Sequence, residues 1–261
     1  MTEVEEMRLG IVTYNIAKDW DLPTILRVCE TVGLEGVELR TTHAHGVEVS
    51  LSPEERRKVR KMFEDSPVEL AGLGSAFEYH SPDPDELKRN IEGTKEYVKL
   101  AADVGAPGVK VRPNALPEGV PVEKTLEQIG LALREVGEFA KDYGVQIRLE
   151  VHGKGTSHIP YIRKILDIAD CDNVYVCWNS NRTDIAENGS IKPNFDLVRD
   201  RIGLVHINEL YSDYPWRELF SLLKESGYKG FTLAEIPGCP DVDSAIRLLR
   251  YYKALWEELT R

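Results

Sequence analysis

The feature that most constrains this chain is an alternation between two hydrophobic periods. Short apolar runs of about five residues alternate with longer stretches whose apolar residues recur three and four apart, and the pair repeats eight times. The short runs cover 8–14, 36–40, 68–73, 108–112, 145–149, 174–178, 203–205 and 230–234. Between them a helix is predicted over 21–32, with Pro23 in its first turn and Gly33 at its end. The second opens at Ser52-Pro53-Glu54-Glu55, which supplies an N-cap, a proline at the first helical position and a capping-box glutamate. Leu87, Ile91, Thr94, Val98 and Ala101 mark the face of a third helix ending at Gly105. Leu126, Ile129, Leu133, Val136 and Ala140 mark a fourth that Gly144 stops. The remaining helices are expected over 160–169, near 195–200, and over 216–225 and 241–259.

Strand-then-helix alternation means a parallel sheet, and eight units predict a closed (β/α)8 TIM barrel, one domain over 1–261. The rival is an open doubly wound sheet. No G-x-G-x-x-G follows the first run, which weakens a dinucleotide-binding reading. Glu38, Arg40, Lys110, Arg112 and Arg148 occupy alternate positions of the second, fourth and fifth runs, so the barrel interior is expected to be polar. For Lys110 and Arg148 a buried ion network is the favoured reading. Arg112, at the rim, reads equally as network or substrate grip.

The chemistry gathers where these runs end. The fifth finishes Arg148-Leu149-Glu150-Val151-His152-Gly153, the sixth reaches Asn179, the seventh His206 and the eighth Glu235. A glutamate at a strand end is commonly just solvated, and a strand histidine is often only hydrogen-bonded. Recurrence in four consecutive strands is what lifts the set, because barrel active sites lie at the C-terminal ends of the strands. Two carboxylates, an imidazole and an amide oxygen suit Mn²⁺, Co²⁺, Mg²⁺ or Zn²⁺ and not a soft thiolate metal. Trp178 faces outward by parity from Asn179 and is expected to pack beneath a helix. Weaker candidates are His43 and His45 after the second run, Glu78 and His80 after the third, and Asn114 after the fourth.

Composition excludes several classes. The formal net charge of −11 disfavours a polyphosphate partner, so no nucleic acid is expected. No stretch approaches a membrane span. The N-terminal residues are acidic without an apolar run, and Cys29, Cys171, Cys177 and Cys239 form no C-x-x-C pair, so a cytoplasmic protein with reduced thiols is expected. A homo-oligomer is compatible with all of this.

The segments Leu149-Glu150-Val151-His152-Gly153, Val176-Cys177-Trp178-Asn179-Ser180-Asn181, Leu204-Val205-His206-Ile207-Asn208 and Leu233-Ala234-Glu235 resemble the xylose-isomerase-like TIM barrels, also called the sugar phosphate isomerase/epimerase family. The resemblance implies a single divalent metal, Mn²⁺ first among the candidates, held by Glu, Asp, His and Glu from strands five to eight. Glu150, His206 and Glu235 match those positions; Asn179 stands where the family has Asp. It further implies proton transfer beside a sugar carbonyl through an enediolate, with Glu150 and Glu235 as the acid/base pair. His152 then serves as a substrate contact or auxiliary acid/base, and Arg112, Asn114, His45 and Asn181 as substrate contacts.

An isomerase or epimerase leads. A keto-sugar or keto-glycoside lyase or dehydratase shares the first half-reaction, and a non-catalytic sugar-binding barrel fits the Asn179 substitution. Metal-cluster phosphodiester cleavage, as in endonuclease IV relatives, needs many histidines where six exist. The loop Pro237-Gly238-Cys239-Pro240-Asp241-Val242-Asp243 places two acids where a barrel phosphate would sit, so a non-phosphorylated sugar or keto-sugar is expected.

Overall fold

The computed structural model describes residues 7–261. Eight parallel strands close on themselves in sequence order, β1 (Arg8–Val12), β2 (Gly36–Arg40), β3 (Glu69–Glu78), β4 (Gly108–Arg112), β5 (Gln146–Glu150), β6 (Val174–Trp178), β7 (Ile202–Ile207) and β8 (Phe231–Ala234). Each is followed by a helix: α1 (Leu22–Val32), α2 (Pro53–Glu64), α3 (Pro84–Val104), α4 (Val122–Lys141), α5 (Ile159–Ala169), α6 (Lys192–Val198), α7 (Trp216–Glu225) and α8 (Val242–Leu259). The chain is a single (β/α)8 TIM barrel, as the alternation predicts.

Local chemistry sets the helix ends. Asp21 caps α1 by accepting from the Thr24 N–H, and Gly33 closes it at φ 76°. Ser52 and Glu55 form the reciprocal capping box of α2. Helix stripes and the outward faces of the strands make one continuous apolar shell that includes Leu126, Ile129, Leu133, Leu149 and Trp178.

Inside the barrel the packing differs. A small apolar plug of Val12, Ala71, Cys177, Leu204, Phe231 and Leu233 sits apart from the shell. Beside it lies Arg148, 5% exposed, donating to the Ala71 carbonyl at 2.7 Å and to Gln146 Oε1 at 3.0 and 3.1 Å. That guanidinium fits only because its neighbours lack side chains. A Cβ at Gly108 would lie 2.5 Å from Arg148 Nε, and one at Gly72 would lie 3.1 Å from Nη1.

Two expectations shift. β3 runs to Glu78 rather than ending near residue 73, and Gly72 and Gly74 within it leave room for Arg148 and Glu38. The helix expected near 195–200 is α6 at Lys192–Val198, preceded by a 3₁₀ turn at Arg182–Asp184. Among the described residues no helix is long and apolar enough to cross a membrane.

Candidate active site

Parity along the strands decides which side chains meet at the mouth. On β2 the residues two apart, Glu38 and Arg40, face inward, as do Lys110 and Arg112 on β4 and Arg148 and Glu150 on β5. The Glu235 N–H extends the β8 ladder by donating to the Ile207 carbonyl at 2.8 Å, which fixes Glu235 one residue past the strand. Glu150, His206 and Glu235 bring one ligand atom each within 4.8 Å of one another. His206 Nδ1 lies 3.5 Å from Glu150 Oε1 and 3.4 Å from Glu235 Oε2. It is buried and has no hydrogen-bond partner.

On the other edge of that ring, His206 Nε2 lies 3.3 Å from Oε1 of Glu38, a carboxylate with no solvent exposure. A carboxylate behind an imidazole holds the ring and favours the tautomer with its proton toward the carboxylate. Burial disfavours charge on this ring, but Cys177, Glu38 and Glu150 raise the His206 imidazole well above its usual value, and Nδ1 faces the space between Glu150 and Glu235. Lys110 closes the layer, its Nζ 2.6 Å from Glu150 Oε2. Burial alone would raise the Glu150 carboxyl, but Lys110 and His206 outweigh it and hold the group well below the usual carboxylate range. Glu38 is lowered in the same way by His206 and Lys110 against the opposing effect of burial. Burial works against the Lys110 ammonium, yet Glu150 and Glu38 raise it.

These residues fit a divalent cation. An orphaned buried imidazole nitrogen faces two carboxylates, a mixed nitrogen and oxygen donor set suited to a hard or borderline ion. Three carboxylates, Glu38, Glu150 and Glu235, surround the His206 ring, with the Lys110 ammonium on Glu150. Asn179 follows β6 half-buried and does not border the pocket.

The pocket above this layer is about 100 Å³, bordered by Glu150, His206 and Glu235 together with Lys110, Arg112 and His152. It is also bordered by Tyr14 and Arg40, which the sequence reading gave no role at the site. The signal was present, since Gly10, Val12 and Tyr14 alternate along the first run, 8–14, as Glu38 and Arg40 do on β2. His152 Nδ1 donates to Asn114 Oδ1 at 2.8 Å, leaving Nε2 with the lone pair. Gly153 makes that approach feasible, because a Cβ there would lie 1.7 Å from the Asn114 carbonyl oxygen. Arg112 pairs with Glu78 at 2.5 Å.

Two expected contacts are engaged elsewhere. His45 donates Nε2–H to the Arg40 carbonyl at 2.7 Å and accepts the Val47 N–H on Nδ1 at 3.0 Å, so both ring nitrogens brace the loop after β2. Asn181 donates its amide to the Val151 carbonyl at 2.7 Å and its backbone N–H to Asp184 at 2.6 Å. Neither borders the pocket. Trp178 lies outside the sheet against Phe195, and its Nε1–H donates to Tyr214 at 3.1 Å.

The model of the xylose isomerase-like TIM barrel family matches residues 26–255, and the chain belongs to that family. No curated protein sequence matches it. Among solved structures it is similar to the IolI protein with a bound zinc atom, at TM-score 0.80 and 18% identity, covering 97% of this chain and 98% of that one. It is similar to 3-keto-D-glucoside 4-epimerase from E. coli, at TM-score 0.77 and 15% identity over 95% and 98% of the two chains. L-ribulose 3-epimerase follows at TM-score 0.75 and 16% identity over 97% and 95%.

Proposed function

We propose that this protein is a metal-dependent sugar isomerase or epimerase, moving a proton on a carbon next to a carbonyl of a non-phosphorylated sugar or keto-sugar. The observation that carries this reading is the convergence of His206 Nδ1 with the carboxylates of Glu150 and Glu235 at the floor of the pocket. Membership of the family and the epimerases among similar structures support it.

Glu150, His206 and Glu235, with Asn179 as a fourth donor from the end of β6, would hold the cation, Mn²⁺ first and Co²⁺, Mg²⁺ or Zn²⁺ as alternatives. When bound, such an ion polarises the substrate carbonyl and its neighbouring hydroxyl and so acidifies the C–H between them. Glu235, the less buried of the two glutamates, is placed to take that proton, giving an enediolate. Glu150 holds the opposite side, and the proton it delivers to the neighbouring carbon or the other face is one handed to it by the Lys110 ammonium 2.6 Å away, while Glu235 keeps the proton it took. His152, with Nε2 free and Nδ1 fixed on Asn114, shuttles protons between hydroxyl oxygens. Arg112 borders the substrate. Asn114, expected as a substrate contact, acts through His152, and Glu38 positions His206.

The negative net charge supports a small-molecule substrate and not nucleic acid. Four free cysteines suit a reducing, cytoplasmic setting. Incubation with a panel of ketoses and 3-keto-glycosides in D₂O tests the reading. Exchange of one carbon-bound proton with retention of the carbon skeleton is expected. Elimination products would replace isomerase with lyase, and no exchange with any metal added would leave a sugar-binding barrel.

A further inference from the structure

Charge at the mouth is divided between two halves of the barrel. β5, β7 and the end of β8 carry Glu150, His206 and Glu235, whereas β2 and β4 carry Arg40, Lys110 and Arg112, and all six border the pocket. The three cations are not equally engaged. Lys110 is held by Glu150 at 2.6 Å. Arg112 is balanced by Glu78, but its buried Nε has no hydrogen-bond partner. Arg40 donates one Nη to the Thr41 carbonyl at 2.9 Å, and among the described residues no carboxylate pairs with it.

Arg40 is nevertheless well placed. Its backbone N–H donates to Thr13 Oγ1 at 3.0 Å, and its carbonyl accepts from His45 at 2.7 Å. Gly74 leaves space beside it, where a Cβ would lie 3.4 Å from Arg40 Cγ. Its Cζ stands 5.7 Å from the centre of the Tyr14 ring, and His43 stacks on Tyr14 at 6.2 Å. Burial and then Arg40 push the His43 imidazole down to about 4, so the ring is neutral near pH 7.

From this arrangement we infer that Arg40 and Arg112 form an anion subsite for a carboxylate on the substrate. The substrate class is then a small hydroxy-keto acid whose hydroxy-carbonyl end faces Glu150 and Glu235, an assignment that rests on the proton-transfer reading above. A guanidinium fork matches the two coplanar oxygens of a carboxylate. The pocket volume, about 100 Å³, suits a small planar group. Phosphate is disfavoured because the N-terminus of α8, a usual phosphate station in barrels, is capped by Asp241 on the Ser244 N–H at 2.7 Å. The acids of that loop follow β8 and do not reach Arg40 on β2 as ion-pair partners.

Calorimetry with D-glycerate, glyceramide and glycerol 3-phosphate tests the assignment, in EDTA and again in Mn²⁺, since a bound cation would itself attract a carboxylate. In EDTA glycerate is expected to bind at least about tenfold more tightly than the neutral amide, and Arg40→Gln to remove that preference. In Mn²⁺, where the cation's own attraction remains, the variant is expected still to lose about tenfold for glycerate relative to the wild type. Arg40→Lys should restore part of that loss. In EDTA, equal binding of acid and amide, no binding of glycerate, or a preference that survives Arg40→Gln would overturn the subsite. Tighter binding of glycerol 3-phosphate would overturn the carboxylate class. Proton exchange in D₂O separates this inference from the function it rests on. Exchange on neutral ketoses without an acid preference removes the subsite alone, and glycerate binding without exchange on any hydroxy-keto acid removes the enzyme reading alone.

Discussion

Glu150 and Glu235 occupy different environments although both face His206. Glu150 is 3% exposed and gripped by Lys110, while the Glu235 side chain is 26% exposed and, among the described residues, pairs with no lysine or arginine. Glu235→Gln is therefore expected to lower proton exchange by about 10²–10⁴-fold, the range of a lost general base, with the fold retained. Glu150→Gln should do the same and also leave the Lys110 ammonium buried without its partner, so that variant loses thermal stability as well. Exchange rates in D₂O beside melting curves measure both, and near-full activity in either variant would remove that residue from the mechanism. Asn179→Asp adds a third carboxylate to the donor set. Since hard cations prefer carboxylate to amide oxygen, tighter Mn²⁺ binding by calorimetry is expected, with lower turnover because the ion's charge is more fully quenched. If neither form binds Mn²⁺, Co²⁺, Mg²⁺ or Zn²⁺, the metal has no place in this protein.

At the scale of elements, the loop after β6 hangs on a buried acid. Asp184 has no solvent exposure, accepts from the Asn181 N–H and the Tyr214 hydroxyl, and is pushed up to about 7 by burial. A carboxyl raised in the folded state binds a proton there that the unfolded chain has released. Its contribution to stability is complete below the unfolded value near 3.8 and is lost as pH rises from about 4 to about 7. About three units correspond to a few kcal/mol. Asp184→Asn removes that slope, so the wild type is expected to lose melting temperature relative to the variant across this window. Parallel profiles would show that Asp184 does not titrate in it. Tyr214, in the segment before α7, links Asp184 to Trp178, so the same acid ties the 3₁₀ turn and that segment to the strand that presents Asn179.

On the scale of the whole barrel, the cation site joins β5, β7 and β8, with Glu38 reaching in from β2. An ion bound there stabilises only the closed barrel, because the unfolded chain does not bring these strands together. At a hundred times its dissociation constant the gain is about 2.7 kcal/mol, or roughly 5–10 °C in melting temperature for a chain of this size. Mn²⁺ is expected to raise the melting temperature of EDTA-treated protein by that order, and His206→Gln to abolish the shift. A shift of equal size in the variant would place the ion elsewhere.

The residues read in order were enough to predict the barrel, since periods of two and 3.6 are written directly along the chain and eight alternations without a G-x-G-x-x-G favour closure over an open doubly wound sheet. The strand-end positions of Glu150, His206 and Glu235 were legible for the same reason. What the order of residues does not carry is what stands across the barrel. Glu38 was visible as an inward charge on β2, but its place behind His206 depends on two strands five apart in sequence order facing each other across the interior. His45 and Asn181 lie on the rim loops as a substrate contact should, yet their polar atoms are taken by backbone carbonyls and N–H groups that only the folded loops bring within reach. Gly72, Gly74 and Gly108 carry no signal of their own in the sequence, and their meaning appeared only when the Arg148, Glu38 and Arg40 side chains came to fill the space beside them. Strand identity is a local property, set by periodicity and turn chemistry. The partner of a buried charge is not, because it is chosen by whichever opposite group the closed sheet delivers to within a few ångströms.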